Sequence, residues 1–211
     1  MAEHPAVAEV AQSPGFAFDA ASEAEIAPVI AKYPPGRQAS AVISLLYLVQ
    51  NQMRRTSGSA WVPRAAMDVV AQRLGMPPMR VYEVATFYLM FNTHPIGRHH
   101  LQVCTTTPCW LRGSDAVTAA CRAATGISEW GETSADGLFT LSEVECLGAC
   151  VNAPVLQVDD DFYEDMDATK TGALIAALRR GERLPAGSMA GRQGSAPEGG
   201  PMTLLEQGPA E

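Results

Sequence analysis

Val103-Cys104-Thr105-Thr106-Thr107-Pro108-Cys109-Trp110 and Val144-Glu145-Cys146-Leu147-Gly148-Ala149-Cys150-Val151 decide how the rest of this chain is read. They hold four of its five cysteines, as one Cys-x4-Cys and one Cys-x3-Cys pair. Four thiolates brought together suit an iron–sulfur cluster. An all-cysteine [2Fe–2S] cluster needs two thiolates per iron, and one pair per iron is the natural assignment. Thr105, Thr106, Thr107, Gly148 and Ala149 are small, so backbone N–H groups can approach cluster sulfurs there. Gly148 can also take a positive φ.

Each pair follows a run with strand character. His99 to Val103 alternates and runs into Cys104, and Leu138 to Val144 ends just before Cys146. Loops at one end of a sheet lie side by side, so the pairs can converge. Ser114 to Ala124 reads as a helix closed by Gly126. Pro154 to Val158 and Phe162-Tyr163 read as two further strands. Thr169 to Arg180 reads as a closing amphipathic helix with Arg179 and Arg180 at its C-terminal end, where cations are favoured. The order β-α-β-β-β-α predicts a small sheet with helices packed on it over residues 97–181.

Upstream, residues 21–96 read as a helical bundle. Ser22-Glu23-Ala24-Glu25 has capping-box spacing, with Ser22 as N-cap. Pro34-Pro35-Gly36 stops that helix. A second helix runs from about Arg37 to Arg54, apolar around much of its surface and so central to the bundle. Pro63 and Gly75 bracket a third, and Pro77-Pro78 opens a fourth. Residues 1–20 form an arm, with Phe16 and Phe18 as anchors. Residues 182–211 are a Gly/Pro-rich extended tail that cannot build a core, although Met202, Leu204 and Leu205 could dock. The fold class is therefore α+β: a helical bundle followed by a mixed cysteine domain.

Other metal chemistries fit less well. Structural zinc favours Cys-x2-Cys knuckles, with a range up to x4. A four-thiolate zinc scaffold stays open as the competing non-redox reading. A [4Fe–4S] site wants a tight Cys-x2-Cys-x2-Cys run, and a thioredoxin-type redox pair wants Cys-x-x-Cys. A Rieske centre needs histidines, and none lies beyond His100. Cys121, inside a helix, reads as a small buried residue. His94, His99 and His100 read as solvent-facing, and Asp159-Asp160-Asp161 as a solvated turn. Trp110 shields the cluster, packs on a partner or packs in the core.

At 211 residues and 47% hydrophobic residues the chain is globular. A net charge of −8 argues against nucleic-acid binding. The start, Met1-Ala2-Glu3-His4-Pro5, has no secretory pattern, and its acidity argues against a mitochondrial transit peptide. The longest apolar run, Ala41 to Val49, is too short to span a membrane. The expected compartment is cytoplasmic and reducing, which disfavours disulfides. There is no Walker loop, no Gly-rich dinucleotide fingerprint and no locally supported Ser–His–Asp order. No catalytic residue is expected, and NADH or flavin would have to bind elsewhere.

Val81-Tyr82-Glu83-Val84-Ala85-Thr86-Phe87-Tyr88, the Cys104–Cys109 loop continued through Leu111-Arg112-Gly113, and Glu145 to Pro154 carry a specific resemblance. Over residues 20 to 180 the chain resembles the small [2Fe–2S] subunits (the E-type subunits) of bacterial NADH:quinone oxidoreductase, respiratory complex I. The resemblance implies a thioredoxin-like ferredoxin domain behind the bundle. It implies one [2Fe–2S] cluster held by Cys104, Cys109, Cys146 and Cys150. It also implies docking on a larger partner subunit that carries FMN and oxidises NADH, with the cluster near the flavin but off the main electron chain. The assembly would lie peripheral to the cytoplasmic face of the inner membrane, beside other peripheral-arm subunits. In this family the tail wraps the partner. Related [2Fe–2S] subunits of NAD-linked hydrogenases and formate dehydrogenases share the cysteine pattern and are the alternative.

Overall fold

A computed structural model of the chain describes residues 15–197 and Gly200. It divides into two compact units between Arg98 and His99. Met202, Leu204 and Leu205, expected to dock, and most of the N-terminal arm lie outside the described residues.

Among the described residues, the first unit contains four α-helices: α1 (Ala20–Ala31), α2 (Val42–Ser57), α3 (Arg64–Leu74) and α4 (Pro78–Phe87). α1 starts earlier than its expected capping box. Asp19 is the N-cap, its carboxylate accepting from the Ser22 N–H at 2.8 Å. Ser22 is instead buried inside the helix, where its hydroxyl accepts from Arg55 at 2.9 Å. A single 3₁₀ turn (Gln38–Ala41) leads into α2. Gly58 ends α2 at φ 77° and Gly75 ends α3 at φ 62°, the left-handed geometry glycine accepts without a Cβ penalty. α2 packs on α1, α3 and α4 and is the central helix, as its apolar surface predicts. Leu45, Leu46 and Val49 of α2 meet Met67, Val70 and Val81 in a fully buried core. Phe16 and Phe18, edge to face with each other, pack against that core.

The second unit is built on a five-stranded sheet ordered β2-β1-β3-β4-β5. The strands are β1 (His99–Cys104), β2 (Phe139–Val144), β3 (Leu156–Val158), β4 (Asp161–Glu164) and β5 (Gly187–Ser188). β1 and β2 are parallel, with Cys104 opposite Val144. β1–β3 and β3–β4 are antiparallel, and β5 lies parallel to β4. The helices are α5 (Thr107–Leu111), α6 (Ser114–Thr125) and α7 (Ala168–Arg179). α6 and α7 pack together. Their Val117, Cys121, Leu174 and Ile175 bury Leu101, Val103, Phe139 and Leu141. Strand side chains alternate between faces. Leu101 and Val103 therefore face the helices, while Cys104 falls to a separate small core with Cys109, Ala149, Ala153 and Val155.

Three expectations need correction. Asp159 is buried, at 8% exposure, rather than a solvated turn residue. Its carboxylate accepts the His100 N–H at 2.9 Å and meets His99 Nδ1 at 3.3 Å and Arg183 at 3.4 Å, so it anchors the start of β1. His99 and His100 are accordingly half-buried rather than solvent-facing, and His100 Nε2 lies 2.8 Å from the Ser142 hydroxyl. Residues 182–197 are not free of the domain: β5 joins its sheet, and Tyr163 donates to the Leu184 carbonyl at 3.0 Å. Among the described residues no helix is long and apolar enough to cross a membrane.

Candidate iron–sulfur centre

The parallel register of β1 and β2 is the step that brings the cysteine pairs together. With Cys104 beside Val144, both chains leave the sheet at the same end. The Thr105 hydroxyl donates to Glu143 at 2.7 Å and fastens the exit. Thr107-Pro108 then opens α5, proline being suited to a first helical turn where no N–H is needed. One turn of helix aims Cys109 inward at 1% exposure and Trp110 outward at 57%. Core packing of Trp110 is thus excluded. Sequence reading misses α5 because five residues are too few for a helical period, although Pro108 marks its start.

The second loop runs from Cys146 to a 3₁₀ turn over Cys150–Asn152. Gly148, at φ 82°, turns its N–H onto the Cys146 sulfur at 3.4 Å. The Cys146 and Cys150 sulfurs lie 3.3 Å apart. All five cysteines are free thiols. Cys104 and Cys109 are buried, and Cys146 and Cys150 are exposed. That asymmetry is not legible from the spacing alone.

The sulfurs of the two pairs sense one another. Burial pushes the Cys104 thiol up, but the Thr106 hydroxyl and the Leu147 and Thr106 N–H groups outweigh it and hold it below its ordinary value. Cys109 is pushed up to about 12 by burial and by Cys104, with a smaller repulsion from Cys150. Gly148 N–H and then Cys150 hold Cys146 down, while Cys150 is raised by Cys146 first and burial second. The Thr106 hydroxyl lies 3.3 Å from the Cys104 sulfur and also reaches Cys146, so it stands between the pairs. Within each pair one thiol is thus held below its ordinary value and the other above it.

Among the described residues no group of three or more His, Cys, Asp and Glu could hold a metal ion as they stand. The donors come as two pairs with N–H and O–H groups aimed at the sulfurs. That donor set fits a two-iron cluster, which takes four thiolates. Cys121 stands apart, fully buried on α6, its thiol pushed up to about 12 by burial.

The model of the thioredoxin-like [2Fe–2S] ferredoxin family matches residues 26–179. The chain belongs to this family. The family and its E-subunit relatives give this chain one [2Fe–2S] cluster as its cofactor. The chain is 50% identical over 164 residues to the NADH-quinone oxidoreductase E-subunit of Rickettsia bellii, covering 78% of this chain and 95% of the relative. It is 52% identical to the corresponding E-subunit of Rickettsia prowazekii, covering 76% of this chain and 87% of the relative. It is 44% identical to the mitochondrial NADH dehydrogenase [ubiquinone] flavoprotein 2 of Dictyostelium discoideum, over 90% of this chain and 75% of that protein. An NAD⁺-reducing [NiFe]-hydrogenase crystal structure has the same fold over 66% of this chain, with a TM-score of 0.54 and 21% identity. The match spans 23% of that longer chain.

Within this ferredoxin, sequence reasoning passes over Thr106 as a hydroxyl donor and Asn152 as more than a family residue. Asn152 is 2% exposed, and its amide donates to Glu164 at 2.7 Å. An asparagine two residues after a cysteine pair is the available signal, since a buried amide needs partners.

Proposed function

We propose that this chain is the electron-transfer subunit of the NADH-oxidising module of NADH:quinone oxidoreductase. Cys104 and Cys109 hold one side of a single [2Fe–2S] cluster, and Cys146 and Cys150 the other. When bound, such a cluster accepts and returns one electron at a time, here with the flavin of a partner subunit. The observation that carries the reading is the convergence of the two cysteine pairs at one end of the β1–β2 sheet. Half-identity to subunits named for that complex supplies the machine.

The chain's own residues do three things. Cys109 sits in a dry pocket with Ala149, Ala153 and Val155, which excludes water from one side. Thr106 and Gly148 present O–H and N–H groups to the sulfurs, and such bonds favour the more negative, reduced state. Exposed Trp110 and Leu111, next after Cys109, and exposed Val151, next after Cys150, offer apolar surface for a partner. That partner is the flavin- and NADH-binding subunit, with the assembly peripheral to the membrane.

Iron and acid-labile sulfide analysis of the purified chain should give about two of each. Cys104→Ser, Cys109→Ser, Cys146→Ser and Cys150→Ser should each disturb the EPR signal of the reduced chain, and Cys121→Ser should leave it unchanged. Zinc without a chromophore would sink the redox reading. Co-purification with a soluble hydrogen- or formate-oxidising assembly, instead of NADH:quinone activity, would overturn the choice of complex.

A further inference from the structure

The segment from Gly187 to Ser195 folds onto the cysteine domain, and its contacts converge just behind Cys150. β5 extends the sheet by pairing Gly187 with Tyr163 and Ser188 with Glu164. The Ser188 hydroxyl donates to Asp165 at 2.6 Å. Arg192 then grips both Asp165 oxygens, at 2.6 and 2.9 Å, and donates to the Val151 carbonyl at 3.2 Å. The Gln193 carbonyl accepts from the Asn152 amide at 2.9 Å. The Ser195 N–H donates to Glu164 at 2.9 Å, and its hydroxyl donates to the same carboxylate.

The logic lies in Glu164, which is 2% exposed. A buried carboxylate is costly unless hydrogen-bonded or paired. Asn152 and Ser195 donate to it, one from the cysteine loop and one from the tail. Asp165 repeats the pattern, donating its N–H to the Asn152 carbonyl at 2.7 Å while its side chain holds Arg192. Val151 and Asn152, the two residues after Cys150, are thus tied to the tail directly and through β4.

We propose that residues 187–195 are a strap that fixes the Cys150 end of the outer cysteine loop, with Asn152 and Arg192 as positioning residues for the Cys146/Cys150 pair. This rests on the reading that those cysteines hold the cluster. Without the strap, the Val151–Asn152 turn keeps its bonds to Glu164 and Asp165 but loses those to Arg192 and Gln193, so it opens locally more often and the exposed pair releases iron sooner.

The test is the full-length Arg192→Ala/Ser195→Ala chain. In the cluster-free form, hydrogen exchange over residues 150–154 should quicken about tenfold, the scale of losing a few hydrogen bonds. Exchange in α6 and α7 should not change. In the loaded form, bleaching by an iron chelator should quicken by about the same factor. Arg192→Lys, which keeps a cation beside Asp165, should fall between wild type and the double variant. Unchanged exchange and bleaching overturn the proposal. So does exchange that rises equally across the domain, which would make the tail a general stabiliser. If exchange quickens over 150–154 while Cys150→Ser keeps a full cluster signal, the strap stands and the ligand reading fails.

Discussion

Thr106 shows how much a single side chain can set at this site. Its hydroxyl lies 3.3 Å from the Cys104 sulfur and also reaches Cys146. A donor to a thiolate stabilises the more negative oxidation state, so Thr106→Val should lower the reduction potential. A hydrogen bond worth about 1 kcal/mol corresponds to about 40 mV for one electron, and a redox titration followed by EPR checks it. An unchanged potential would place the hydroxyl outside the electronic environment. At this scale the pairing of Cys104 with Cys109 and of Cys146 with Cys150 is legible because the members of each pair stand a few residues apart in one loop. Cys121 is legible as core from its helix. Asp159 is not, because three consecutive aspartates look like a solvated turn until one is seen to accept from β1 and Arg183.

Elements are legible where period and punctuation agree. α2, α3 and α6 end at Gly58, Gly75 and Gly126, each with positive φ, and each glycine stands at the end of an apolar pattern. α5 and β5, of five and two residues, are too short to show a period. β1 and β2 alternate visibly, but alternation does not state whether two strands run parallel. That is settled by α6, whose crossover returns the chain to the same end of the sheet. Leu141, at the middle of β2, is fully buried between the sheet and its helices. Leu141→Ala should destabilise the chain by about 2–5 kcal/mol through lost burial and a residual cavity, read as a lower urea midpoint. A shift within the noise of a surface substitution would mean that β2 is not part of the core.

Over the whole molecule, an acidic composition is held in check by carboxylates that folding pins down. The Ser134 hydroxyl, the Leu138 N–H and Arg179 hold Asp136 at about 2, against an ordinary 3.8. Asp165 is held low by Arg192, and Asp167 by the Lys170 N–H at the start of α7. Each folded carboxyl is more acidic than its unfolded counterpart. Its stabilisation is complete above the unfolded value and disappears as pH falls through the folded one. The melting temperature should therefore drop as pH falls from about 4 toward about 2. In Asp136→Asn the slope should be shallower, measured by circular dichroism on both chains. Equal slopes would remove Asp136 from the acid response. At this scale the two-part architecture is legible from the change in periodicity near Gly97. The tail is not, because composition predicts only that a Gly/Pro-rich segment builds no core of its own. It does not exclude bonding such a segment to a carboxylate buried elsewhere, as Ser195 is bonded to Glu164.

The two cysteine pairs are insulated unequally, one sealed behind Ala149, Ala153 and Val155 and one facing water. Water screens charge strongly, and protein surroundings screen it much less. A subunit that seats on Trp110, Leu111 and Val151 replaces that water over the bare pair and changes the energy of adding an electron there. Docking therefore acts as a voltage adjustment as well as a physical attachment. The chain in solution and the chain in an assembly would then be two different electrodes.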